Sequence, residues 1–88
     1  MKPIRWSAHA RKKAAKREVK ANEVEQTIAR PDSIVTGQWP RRIFMRRYFD
    51  EIVGAEMLLR IVVEETDVEL TVVTLYKTSK FAKYEGVA

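Results

Sequence analysis

A chain of 88 residues has room for one domain with one small core, burying about 60% of the surface its unfolded form exposes, and this excludes a two-domain enzyme. With no Cys, a disulfide framework, a thiolate nucleophile and a thiolate zinc site are excluded, and a reducing, cytoplasmic setting is expected. The 17 Lys and Arg against 12 Asp and Glu leave a net charge of +5, which favours a polyanionic partner.

That charge is unevenly distributed. Up to Arg47, 13 basic residues face 4 acidic ones, a balance of +9; from Tyr48 onward 4 basic residues face 8 acidic ones, a balance of −4. No run approaches the ~20 apolar residues of a bilayer span, and the basic start lacks a signal-peptide core, so neither membrane insertion nor export is expected. The whole chain, 1–88, reads as a single domain with a helical part over 1–31, a sheet over 34–78 and a C-terminal tail over 79–88.

In chain order, residues 2–6 suggest an extended lead-in ending at Trp6. Ser7 has the hydroxyl of an N-cap, and a helix is predicted from Ala8 to about Arg17. Its apolar stripe is thin, made of Trp6, Ala10 and Ala14, while the other faces are cationic through Arg11, Lys12, Lys13, Lys16 and Arg17. Asn22 with Glu25 three residues on has the spacing of a capping box, predicting a second helix over Glu23–Ala29. Pro31 ends it, because the residue before a proline is pushed out of helical space.

Beyond Asp32 and Ser33 the apolar period changes from four to two. Residues 42–49 place Ile43, Met45 and Phe49 on one face with Arg47, and Phe44 and Tyr48 on the other with Arg42 and Arg46, a half-buried strand carrying guanidinium groups. Gly54 marks a turn. Residues 57–63 and 68–76 are two strong β segments joined by an acidic connection short enough for a hairpin. Both are apolar on both faces, as central strands are. The expected fold is therefore α+β, with two N-terminal helices on one face of a small antiparallel sheet of three to four strands. Two short helices cover only one face, so the other needs the C-terminal tail, a partner or a second copy in a homodimer.

A resemblance attaches to these residues. The succession Ser7-x-His9-Ala10, Arg17-x-Val19-x-x-x-x-Val24 leading to Pro31-Asp32, Leu59-Arg60-Ile61-Val62-Val63, Val72-Val73-Thr74-Leu75-Tyr76 and Lys83-Tyr84 resembles, in order and over most of the chain, a small bacterial domain family of unknown function. That family is related to the RelE/ParE-like and BrnT-like toxins. The resemblance implies a RelE-like fold and an endoribonuclease, an mRNA interferase, silenced by an acidic antitoxin-like protein that covers a basic cleft.

Cleavage of RNA through its 2′-hydroxyl needs a proton acceptor, a proton donor and cations for the charge that builds on phosphorus oxygens. His9 is the only histidine, the residue type that titrates near neutrality when unperturbed; the alternative is a cap or surface residue. Arg60 is the only charge within 57–63, and a guanidinium on a buried strand needs an anion or lies at a cleft, the alternative being an ion pair with Glu56 or Glu69. Tyr76, Tyr84, Lys77, Lys80 and Lys83 gather at the end of the last strand and in the tail, where phenols stack on bases and ammonium groups meet phosphate; alternatively Phe81 and Tyr84 pack the tail onto the sheet. The catalytic candidates are His9, Arg60, Tyr76 and Tyr84. Nucleic-acid contacts are expected from Arg11, Lys12, Lys13, Lys16, Arg17, Arg42, Arg46, Arg47, Lys77, Lys80 and Lys83. No metal site or cofactor is expected: His9 has no second ligand at helical spacing, and glycine-rich phosphate loops and Ser-His-Asp sets are not evident. Three functions stay open: a metal-independent toxin-like endoribonuclease acting on RNA, a non-catalytic nucleic-acid-binding domain, and a protein-interaction or dimerisation domain.

Overall fold

A computed structural model describes residues 2–37 and 39–84. The elements are β1 (Ile4–Trp6), α1 (Ala8–Arg17), α2 (Ala21–Ala29), β2 (Ser33–Thr36), β3 (Arg41–Asp50), β4 (Ala55–Glu65), β5 (Leu70–Thr78) and the single helical turn α3 (Phe81–Tyr84). The chain is α+β. Its strands form one sheet in the order β1-β5-β4-β3-β2, antiparallel except for β1, which runs parallel to β5.

This corrects the expected sheet of three to four antiparallel strands to a mixed sheet of five. The difference arises at its edges. The extended lead-in pairs with Leu70–Val72, and the segment after Asp32 pairs with β3 through Ser33–Thr36. Both edge strands are too short to show a period of their own.

Local chemistry explains the helix boundaries. Ser7 Oγ accepts from the Ala10 amide at 3.0 Å and donates to the Val73 carbonyl at 3.0 Å, so one hydroxyl starts α1 and fastens it to β5. At the other end Glu18 takes the left-handed conformation (φ 56), and the chain re-enters the core at Val19. The second helix starts at Ala21, two residues before the expected Glu23, because Lys20 rather than Asn22 is its N-cap; Glu23 Oε1 accepts from the Lys20 amide at 2.8 Å.

The main core lies between the helices and one sheet face. Ala10, Ala14, Val19, Val24 and Ile28 meet Phe44, Leu59, Ile61, Val63, Leu70, Val72 and Leu75, with Ile4, Trp6 and Tyr48 at the margin. Val72 and Leu75 differ by an odd number of positions, so a regular strand would send them to opposite faces. An irregularity at Val62/Val63 resolves this: Val63 pairs with Val72 but Val62 with Thr74, leaving β5 one extra residue. After this bulge, Leu75 and Lys77 point to the helix side and Tyr76 to the other.

The sheet face away from the helices has its own buried centre, Met45 and Leu58, at 1% and 0% exposure. The short α3 lies over it, its rings reaching Arg47, Arg60 and Tyr76. The tail thus supplies cover for the second face. Among the described residues, no helix is long and apolar enough to cross a membrane.

Candidate functional site

The two core-facing neighbours of Arg60, Leu59 and Ile61, send its side chain by strand alternation to the α3 side of the sheet. Register then sets its company. Met45 lies opposite Arg60 on β3, and Tyr76 opposite it on β5, so three side chains form a row across the three central strands. The guanidinium donates from Nε to Met45 Sδ at 3.3 Å and from a terminal nitrogen to the Tyr76 hydroxyl. Its carbon lies 5.2 Å from the Tyr76 ring centroid and 4.3 Å from that of Tyr84. Those two rings meet edge to face, centroids 5.8 Å apart.

A second pair extends the row. Arg47 sits 4.2 Å from the Phe81 ring centroid and 3.3 Å from Glu56 Oε1. Lys83 Nζ lies 5.2 Å from the Tyr84 ring centroid. Two guanidinium groups are thereby faced by aromatic rings from the same helical turn.

No carboxylate pairs with Arg60 among the described residues. The two partners considered for it are taken: Glu56 by Arg47 and Glu69 by Arg5 at 3.5 Å. Burial lowers the pKa of Arg60, against an opposing influence of the Tyr84 phenol, yet a guanidinium stays cationic at neutral pH. Among the described residues, the half-buried charge is held by a hydroxyl, a thioether and two π faces. Because the Tyr76 oxygen accepts from Arg60, its own proton is left for donation to a third group.

The other sequence-predicted residues fall elsewhere. His9 is on α1, the opposite layer, where Nε2 lies 3.2 Å from Thr74 Oγ1 at the β5 bulge; it does not join the Arg60 row. Arg11, Lys12, Lys13, Lys16 and Arg17 share α1. Arg46 is on the helix side, donating to the Gln26 carbonyl at 3.3 Å. Arg42 pairs with Glu65, which Lys2 also engages at 2.8 Å; the Lys2 hydrogen bond is the largest influence holding the Glu65 carboxyl below its ordinary pKa, against desolvation and together with Arg42. Lys80 is exposed beyond β5.

Lys77 takes part in a buried network on the helix side. Its Nζ lies 2.5 Å from Asp50 Oδ2, with side-chain exposures of 11% and 3%. Asp50 also accepts from the Tyr48 hydroxyl at 3.1 Å and from the amides of Ile52 and Val53 at 2.9 and 3.1 Å. Burial alone would raise the Asp50 pKa, but these hydrogen bonds, led by that from Lys77, outweigh it and hold the carboxyl below its ordinary value. Tyr48 is shifted upward, chiefly by burial and then by the charges of Asp50 and Glu23. The network braces the turn at 51–54, where Gly54 takes the left-handed conformation (φ 78).

Sequence reasoning missed Met45 as a contact of Arg60 and Asp50 as the partner of Lys77. Both follow from cross-strand register, which no local pattern encodes. Among the described residues, no group of three or more His, Cys, Asp or Glu side chains is arranged to hold a metal ion. Compared with family models, curated proteins and solved structures, the chain matches none.

Proposed function

We propose that the chain is a toxin-like, RelE-type endoribonuclease that binds single-stranded RNA on the α3 side of the sheet and cleaves it without a metal. The observation that carries this reading is Arg60: a half-buried cation with no carboxylate partner among the described residues, set between two tyrosine rings. An anion with attached π systems is the chemistry that such a pocket lacks, and single-stranded RNA combines phosphate with bases that stack. As the 2′-oxygen attacks phosphorus and the bond to the 5′-oxygen breaks, Arg60 would take the charge developing on the phosphorus oxygens. The 2′-hydroxyl would give its proton to solvent water, Tyr76 would protonate the leaving 5′-oxygen and regain its proton from water, and Tyr84 and Phe81 would give way to, or stack on, the bases. An acidic antitoxin-like protein would compete for the same cations.

The position of His9 favours a second reading, a non-catalytic RNA-binding domain, because the residue type best suited to accept a proton lies on the other layer. Induced expression separates the two. Growth arrest with rapid RNA decay, abolished by Arg60→Ala, supports the nuclease; RNA binding with intact growth and intact RNA supports the binding domain. No RNA binding even at low salt sinks both.

A further inference from the structure

α1 carries Arg11, Lys12, Lys13, Lys16 and Arg17 and no acidic residue. None of the five takes part in an ion pair among the described residues. Five carboxylates of the sheet are engaged with other cations: Glu65 with Lys2 and Arg42, Glu69 with Arg5, Glu64 with Arg41, Glu56 with Arg47 and Asp50 with Lys77. Lys12 and Lys16, and likewise Lys13 and Arg17, stand one turn apart, and like charges at that spacing destabilise a helix. With Ala10 and Ala14 buried, helical periodicity turns Lys12 and Lys16 outward. Their offset along the axis is about 6 Å, on the order of the distance between neighbouring phosphates of a nucleic-acid strand.

A second feature connects this ridge to the Arg60 face. β1 pairs only with Leu70–Val72, so among the described residues the remainder of β5 is the border of the sheet. At that border His9 on α1 meets Thr74, and two residues further Tyr76 joins Arg60 on the other face. The cationic helix and the aromatic cluster therefore flank the same stretch of strand.

We infer that one RNA strand is held by its phosphates along α1 and passes over the unpaired border of β5, beside His9, to reach Arg60, Tyr76 and Tyr84. The inference rests on the RNA reading of that face and adds the route and the strandedness. A molecule whose shortest dimension is 20 Å can be wrapped by a flexible single strand but not by a duplex, whose persistence length is about 150 bp.

Affinities measured against salt for an RNA of about 4 nucleotides and one of about 16 test this route. Removing two phosphate contacts in Lys12→Gln/Lys16→Gln is expected to weaken the longer RNA about tenfold at low salt and to lower its log–log salt slope by about 1.4. The shorter RNA should bind that variant as it binds the parent, whereas Arg60→Ala weakens both. Thermal unfolding of the lysine variant should show no loss of stability, since a like-charge pair is relieved. Unchanged affinity for the longer RNA, with Arg60→Ala still effective, overturns the route and leaves the site standing. Equal losses on both RNAs indicate a general field effect and overturn it too, as does tighter binding of duplex than of single strand. If Arg60→Ala changes neither affinity, the reading of that face falls and the route with it.

Discussion

Asp50, buried, and Arg60, half-buried, show how differently two charges are settled. Asp50 is 2% exposed and has a cation, a phenol and two amides around it; burial favours its neutral form, and these hydrogen bonds together outweigh it in favour of the ionised one. Arg60 has no counter-charge among the described residues. Removing one partner from a buried pair leaves the other uncompensated, so Asp50→Asn should lower unfolding free energy by about 3 kcal/mol, read from urea denaturation at pH 7. The pH dependence has a definite sign. A carboxyl whose folded pKa is depressed contributes stability that is present above its unfolded value of about 3.9 and disappears as pH falls through the folded one. The parent should therefore lose stability below about pH 4, and Asp50→Asn should show a shallower acid limb. Tyr48 acts at the other extreme: its folded pKa is raised, so its contribution is intact below about pH 10 and declines as pH climbs past that value.

At the scale of elements, α1 is held from outside itself. Its own sequence works against it, with like charges one turn apart and only Ala10 and Ala14 buried. Ser7 compensates by capping the helix and gripping β5 with the same hydroxyl. Ser7→Ala should cost about 1 kcal/mol in unfolding free energy, and thermal melting should show that loss without a change in sheet signal. Among the described residues, the turn α3 meets the sheet through its rings, Phe81 on Arg47, Tyr84 on Arg60 and Tyr84 on Tyr76. In Tyr84→Ala the guanidinium of Arg60 loses one π face, and RNA affinity should change more than global stability does; equal effects on the two would make Tyr84 a packing residue only.

Across the whole molecule, the elements with strong periods were legible in the sequence and those defined by pairing were not. The four-residue spacing of Ala10 and Ala14, the hydroxyl of Ser7 and the stop at Pro31 predict α1 and the end of α2 from local chemistry. The alternation over 42–49 predicts which β3 side chains share a face. The extended lead-in ending at Trp6 was legible but its pairing as β1 was not, β2 was invisible because four residues carry no period, and the β5 bulge was invisible because nothing in Val72-Val73-Thr74 marks the extra residue. The site divides in the same way. Arg60, Tyr76 and Tyr84 stand out as single residues, and register brings them together; His9 stands out equally and is carried to the other layer by the helix it begins. The basic half of the chain is likewise not one basic surface, because Arg41, Arg42 and Arg47 are answered by Glu64, Glu65 and Glu56, leaving α1 as the unanswered part. The central claim is that Arg60 and its tyrosines act on RNA. Its most direct test is incubation of the purified protein with end-labelled single-stranded RNA in excess chelator, with analysis of the product ends. The account predicts fragments ending in a 2′,3′-cyclic phosphate and a 5′-hydroxyl, formed by the parent and not by Arg60→Ala. Intact RNA with the parent, or equal cleavage by Arg60→Ala, would contradict it.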